Sequence, residues 1–162
     1  MPGALQPGVA PLPPPFFKDT NFIPRSYISG KRLCKLMALR DDICSAMENY
    51  MMNAPSDWNT ITVEEVKKEI ASQKNILILD VRERDEFAAG HIQGAINISV
   101  RELPDRVKEL PHDKDMKIIT YCASGIRSAY ATMFLRVYGY ADVSSLVHGI
   151  REWTATGNRV IV

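Results

Sequence analysis

The segment Tyr121-Cys122-Ala123-Ser124-Gly125-Ile126-Arg127-Ser128 places a nucleophile, a turn glycine and a permanent cation within eight positions. A strand-like run, Lys117 to Tyr121, precedes it, and the helix-compatible Ala129-Tyr130-Ala131-Thr132 follows. A strand, a tight loop and a helix start in succession can aim consecutive backbone N–H groups inward, forming a concave nest for an anion. The helix behind the loop adds unpaired amides and the positive end of its dipole. Arg127 adds a full charge. All three favour thiolate over thiol, so Cys122 is expected to ionise below the ordinary thiol value of about 8.5. Gly125 suits a position that needs positive φ or close backbone approach. The competing reading is a small buried cysteine closing a strand; the loop and Arg127 weigh against it.

No other cluster competes for the chemistry. Asp41-Asp42 and Glu64-Glu65 read as solvated helix charges, the second pair near a helix N-terminus where carboxylates are favoured. His112, between Pro111 and Asp113, reads as an exposed turn residue. The three cysteines, Cys34, Cys44 and Cys122, form no C-x-x-C pair, and His91, His112 and His148 show no ligand spacing. Neither a metal nor a cofactor is expected, and no glycine-rich nucleotide loop is present. An odd cysteine count without regular spacing argues for a reducing compartment.

Composition narrows the partners. The chain has 162 residues, a net charge of +1, 46% hydrophobic and 24% charged residues. With so little net charge, no global field draws it to nucleic acid or to an acidic membrane. The most continuous apolar stretch, Ile76-Leu77-Ile78-Leu79, is far shorter than the roughly 18 residues of a bilayer span. Met1-Pro2-Gly3-Ala4 lacks the basic start and apolar core of a secretion signal, so a cytoplasmic location is read.

The elements that must position Cys122 follow from pattern. Seven of the ten prolines fall in the first 25 residues, so residues 1–26 read as an extended or disordered arm. Residues 27–58 form a helical extension and linker. In it Leu33, Leu36, Met37, Arg40, Ile43, Met47, Tyr50 and Met51 recur mostly at spacings of three and four. Cys34, Cys44 and the methionines of this helix read as filler packed against the chain's own domain, though the helix could also dock a partner. Residues 59–162 form the main domain. Thr62 with Glu65 makes a capping box for a helix through about Ser72. Strands are expected at Thr60 to Thr62, Ile76 to Val81, Ala95 to Ile98, Lys117 to Tyr121 and Val143 to Leu146. Helices are expected at Arg84 to Ala89, Val100 to Leu110, Ser128 to Tyr138 and Ile150 to Thr154. Short apolar strands alternating with helices imply an α/β fold, a mostly parallel sheet covered on both faces. In such folds ligands sit beyond the carboxyl ends of the strands, which is where Cys122 falls.

These residues also resemble a known family. Asp80-Val81-Arg82-Glu83, then Phe87, Gly90-His91-Ile92 and Gly94-Ala95, resembles the first signature of rhodanese domains. Tyr121-Cys122 through Arg127-Ser128 is similar to their active-site loop. Gly139-Tyr140 and Gly149-Ile150-Arg151-Glu152-Trp153 resemble the closing signature. The match runs in order over about residues 59 to 158. The resemblance implies a three-layer domain with a mostly parallel five-stranded sheet, here with an N-terminal helical extension. It also implies a sulfurtransferase in which Cys122 accepts a sulfane sulfur from thiosulfate or a persulfide and passes it to a thiol or cyanide. Cys122 and Arg127 would be catalytic. The amides of Ala123, Ser124, Gly125, Ile126 and Ser128 would bind substrate, and Asp80 with Arg82 would support the site. The implied partners are a small sulfur donor and a thiol acceptor such as a thioredoxin-like protein. His91 and Trp153 would close the fold.

Two rivals share this fold. A phosphatase wants Cys-x5-Arg, wide enough to wrap a tetrahedral phosphate; Cys122-x4-Arg127 is one residue short. A binding or regulatory module without turnover is the other, and the helical extension is its main support.

Overall fold

The computed structural model describes residues 30–72 and 75–162, with residues 30–41 as backbone alone. The expected Pro-rich arm at 1–26 lies outside the described residues. A first helix, α1 (Gly30–Asn53), leads into β1 (Thr60–Ile61), α2 (Val63–Ala71), β2 (Ile76–Asp80), α3 (Arg84–Ala88) and β3 (Ile96–Asn97). Then come α4 (Leu103–Arg106), β4 (Lys117–Tyr121), α5 (Ile126–Val137), β5 (Val143–Leu146) and α6 (Gly149–Ala155). The compact unit described below is Ile43–Val162.

The five strands form one sheet in the order β1-β5-β4-β2-β3, and every pairing is parallel. The longest ladder joins β2 to β4, from Ile76 opposite Lys117 to Asp80 opposite Tyr121. Side chains alternate across the sheet, and two apolar clusters result. On one face Leu79, Val81, Ile118 and Cys122 pack with Leu103 and Val107 and with Ala131 and Leu135 of α5. On the other Ile78, Ile119, Tyr121 and Leu146 pack with Val63 and Val66 of α2 and Trp153 of α6. Each fully buried Leu or Ile in these layers contributes roughly 1.5–3 kcal/mol. The middle strands carry apolar residues on both faces because both are covered.

Local signals account for most boundaries. Thr62 caps α2: its hydroxyl accepts from the Glu65 amide, and the Glu65 carboxylate accepts from the Thr62 amide at 2.9 Å. The helix expected from Val100 to Leu110 is instead a short α4 followed by a 3₁₀ turn, Val107–Glu109. Pro104 accounts for the late start, since it is tolerated only in a first turn. Val160 to Val162, unassigned from sequence, carries one antiparallel bridge, Ile161 to His91, with bonds of 2.8 and 2.9 Å. His91 also stacks on Phe87 at 3.8 Å, and the Trp153 indole donates to the Arg159 carbonyl at 3.0 Å. Both side chains hold the fold together.

The packing expected for α1 is not what the structure shows from Ile43 onward; the side chains of Leu33, Cys34, Leu36, Met37 and Arg40 lie outside the described residues. Ile43, Met47, Met51 and Met52 are exposed, and so is Cys44. Of the expected face only Tyr50, among the described residues, is half-buried, in a stripe with Ala46 and Ala54, and its hydroxyl accepts from the Asn59 side-chain amide at 3.1 Å. Both stripes have a spacing of four and differ in phase by one residue, about 100° around a helix. Among the described residues no helix is long and apolar enough to cross a membrane.

Candidate active site

Cys122 directly follows β4, at the carboxyl end of a central strand, and is 1% exposed. The chain then turns through Gly125, whose φ of 100° lies in the left-handed region, and enters α5 at Ile126. The helix therefore begins two residues before the expected Ser128. Gly125 makes this earlier start possible, because a side chain is rarely tolerated at that φ. Ile126, Arg127 and Ser128 thus form the first turn, whose amides have no intrahelical acceptor.

The orientation of the loop is fixed from behind. The Ile150 amide donates to the Cys122 carbonyl at 2.8 Å, and the Arg151 amide donates to the Ala123 carbonyl at 3.3 Å. In a trans peptide the N–H points opposite to the C=O. With those carbonyls turned towards α6, the Ala123 and Ser124 amides face the other way. Gly149 makes this docking possible. A Cβ there would lie 2.2 Å from the Cys122 carbonyl oxygen and 2.9 Å from the Ala123 carbonyl carbon.

The sulfur sits among donors. The Gly125 amide reaches Cys122 Sγ at 3.2 Å and the Ser128 hydroxyl at 3.6 Å. Burial pushes the thiol pKa up. Hydrogen bonds from the Ser128 amide and hydroxyl and from the Ser124 and Gly125 amides outweigh it, leaving the thiol below its ordinary value. The Ser128 hydroxyl also reaches the Gly125 carbonyl at 3.0 Å and receives the Ser145 hydroxyl at 2.8 Å. With its lone pair engaged by Ser145, Ser128 can direct its one proton to the carbonyl or to the sulfur. Removal of this hydroxyl in Ser128→Ala is expected to raise the Cys122 pKa. The rate of alkylation by iodoacetamide against pH would then climb at higher pH than in the wild type. An unmoved profile would show that the hydroxyl does not act on the sulfur.

The remaining expected residues separate into two places. Ser124 and Ile126 are exposed at the rim, Ala123 is half-buried, and Arg127 stands beside them. Arg127 is not a free cation. Its Nη1 and Nη2 donate to the two Glu86 carboxylate oxygens at 2.6 and 2.9 Å. Asp80 and Arg82 lie elsewhere. By strand alternation Asp80 shares the face of Ile78, opposite to Cys122. It is fully buried and paired with Arg82, whose Nε donates at 3.0 Å to each carboxylate oxygen and whose amide donates at 2.9 Å. Arg82 Nη2 donates to the Gly90 carbonyl at 2.8 Å. This pair braces the β2–α3 turn and does not touch the loop amides. Among the described residues no group of three His, Cys, Asp or Glu side chains could hold a metal ion.

Three contributors to the site escaped the sequence reading. Glu86 lies three residues beyond Glu83, a capping spacing that marks a helix start and gives no hint of Arg127. Gly149 was visible only as part of the closing signature. Ser145, a serine in a short strand, carried no signal.

A parallel sheet of this order, with a cysteine-headed loop at the carboxyl end of its middle strand, is the arrangement expected of a rhodanese-type domain. A family model described as Rhodanese-like domain matches residues 62–156, and the chain belongs to that family. A sulfurtransferase of Allochromatium vinosum is 33% identical over 103 residues, which is 64% of this chain and 94% of the relative. A tRNA uridine(34) hydroxylase of Onion yellows phytoplasma is 42% identical over 136 residues, covering 82% of this chain but only 41% of the relative. A human single-domain sulfurtransferase superposes with a TM-score of 0.57 at 28% identity, over 62% of this chain and 98% of that one.

Proposed function

We propose that the protein is a sulfurtransferase that carries a sulfane sulfur as a persulfide on Cys122. The observation that carries this reading is the Gly125 amide on Cys122 Sγ at 3.2 Å, in a loop whose carbonyls are turned away. Donors converging on a sulfur at a helix start stabilise a thiolate and equally a terminal persulfide sulfur.

In the first half-reaction the Cys122 thiolate attacks the outer sulfur of the donor. The new S–S bond forms as the donor's bond breaks, and sulfite or a thiolate leaves with the bonding pair. In the second, an acceptor thiolate or cyanide attacks that outer sulfur and Cys122 departs as thiolate. Two half-reactions through a covalent intermediate give ping-pong kinetics. Ser124 and Ile126 at the rim would meet the donor's remainder, and the Ala123, Ser124, Gly125, Ile126 and Ser128 amides the transferred sulfur.

Among the relatives, the Allochromatium protein, of which the chain spans 94%, is named a sulfurtransferase and supports this reading; the chain spans 41% of the phytoplasma hydroxylase. A thiol acceptor, small or presented by a protein of the thioredoxin kind, fits the chemistry of the second half-reaction.

The test is direct. Wild-type protein exposed to thiosulfate, or to glutathione persulfide, should gain the mass of one sulfur atom on Cys122, and cyanide should remove it. A protein that gains nothing from either donor would be a binding module that kept the fold.

A further inference from the structure

The cation at the rim is already paired. Both outer nitrogens of Arg127 are bound to Glu86, and the two side chains are about equally open to solvent, 31% and 33%. A donor cannot simply push Glu86 aside. Its Oε2 also accepts from the Glu83 amide at 3.1 Å, so the first turn of α3 holds the carboxylate in place. The Arg127 hydrogen bonds keep the Glu86 carboxyl well below its usual range, at about 2, so it stays charged at any working pH. The pair is therefore neutral as a unit. With its charge offset by Glu86, Arg127 adds only its remaining N–H groups to the loop amides, and together these are partial charges suited to one negative sulfur.

Resting on the sulfurtransferase reading above, we infer that Glu86 is a specificity determinant that disfavours dianionic donors. The site is matched to sulfane donors with a single negative charge, such as thiosulfonates and simple alkyl persulfides, over thiosulfate. In both cases the Cys122 thiolate forms its S–S bond to the outer sulfur. The broken bond's electron pair leaves on sulfite from thiosulfate, or on a sulfinate from a thiosulfonate, and net charge is conserved. Thiosulfate brings one more negative charge to the carboxylate at the rim. That extra charge is what Glu86 acts on.

The experiment compares thiosulfate with methanethiosulfonate, which deliver the same atom and differ by one charge. The readout is the ratio of their kcat/KM values in wild type and in Glu86→Gln. Glutamine keeps the length of the side chain and an oxygen for the Glu83 amide and for one Arg127 nitrogen. The ratio is expected to shift towards thiosulfate by about tenfold, the size of one unit charge acting across about 10 Å of partly screened medium. Intrinsic donor reactivity and any general damage in the variant cancel in that quotient. A ratio unmoved within about twofold, or shifted towards the thiosulfonate, overturns the inference. If the variant does not fold, wild-type salt dependence serves instead. Screening should raise kcat/KM for thiosulfate relative to the monoanion. A relative fall, as at an uncompensated cation, overturns it. If wild type takes sulfur from neither donor, the sulfurtransferase reading itself fails. Transfer with an unmoved ratio sinks only the role of Glu86.

Discussion

Cys122→Ser is expected to abolish sulfur transfer, by at least about 10³-fold, as loss of an activated nucleophile does elsewhere. A serine hydroxyl stays protonated in this loop and does not form the persulfide. Folding should hardly change. The Gly125 amide that now reaches sulfur at 3.2 Å would find an oxygen acceptor in almost the same place, so no buried donor is orphaned. The cost should remain within about 1 kcal/mol. A thermal melt beside a donor-to-cyanide assay checks both halves. Residual transfer near the wild-type rate would move the nucleophile away from Cys122.

Gly149→Ala should damage both stability and activity without touching a reacting atom. His148 and Gly149 are consecutive left-handed residues, φ 55° and 61°, that swing the chain from β5 into α6. The added methyl would stand 2.2 Å from the Cys122 carbonyl oxygen, a backbone atom that cannot step aside as a side chain can. Either α6 backs off, losing the Ile150 and Arg151 bonds, or the loop rotates. Steric overlap together with an unfavourable φ points to a loss of about 4 kcal/mol, read as a lower melting temperature. In the fraction that folds, a displacement of about 1 Å at the amides should lower kcat/KM by about 10²-fold. Normal activity in a normally folded variant would show that the α6 contact does not set the loop.

The parts of this architecture open to sequence reasoning share a cause. The runs at Ile76 to Asp80 and Lys117 to Tyr121 could be seen because buried parallel strands must be apolar on both faces. The Thr62–Glu65 box could be seen because a helix start leaves amides that nearby side chains must satisfy. The Cys122 loop was legible for the same reason: its nucleophile, turn and helix start are contiguous. What stayed hidden is relational. Glu86 and Arg127 are 41 positions apart, and Ser128 and Ser145 are 17 apart; only the crossovers between strands bring them together. The early start of α5 depended on the φ of a single residue, Gly125. For α1, periodicity revealed an amphipathic helix but not its phase against the body, so Met47, Met51 and Met52 were assigned to the wrong side.

The strands at the two margins of the sheet, β1 and β3, are two residues long. An open β margin is a template on which another chain can add itself, and long flat margins are where aggregation starts. Here the exposed backbone on either flank amounts to little more than one peptide unit in usable register. Intermolecular strand addition therefore has almost no foothold on either flank of this domain.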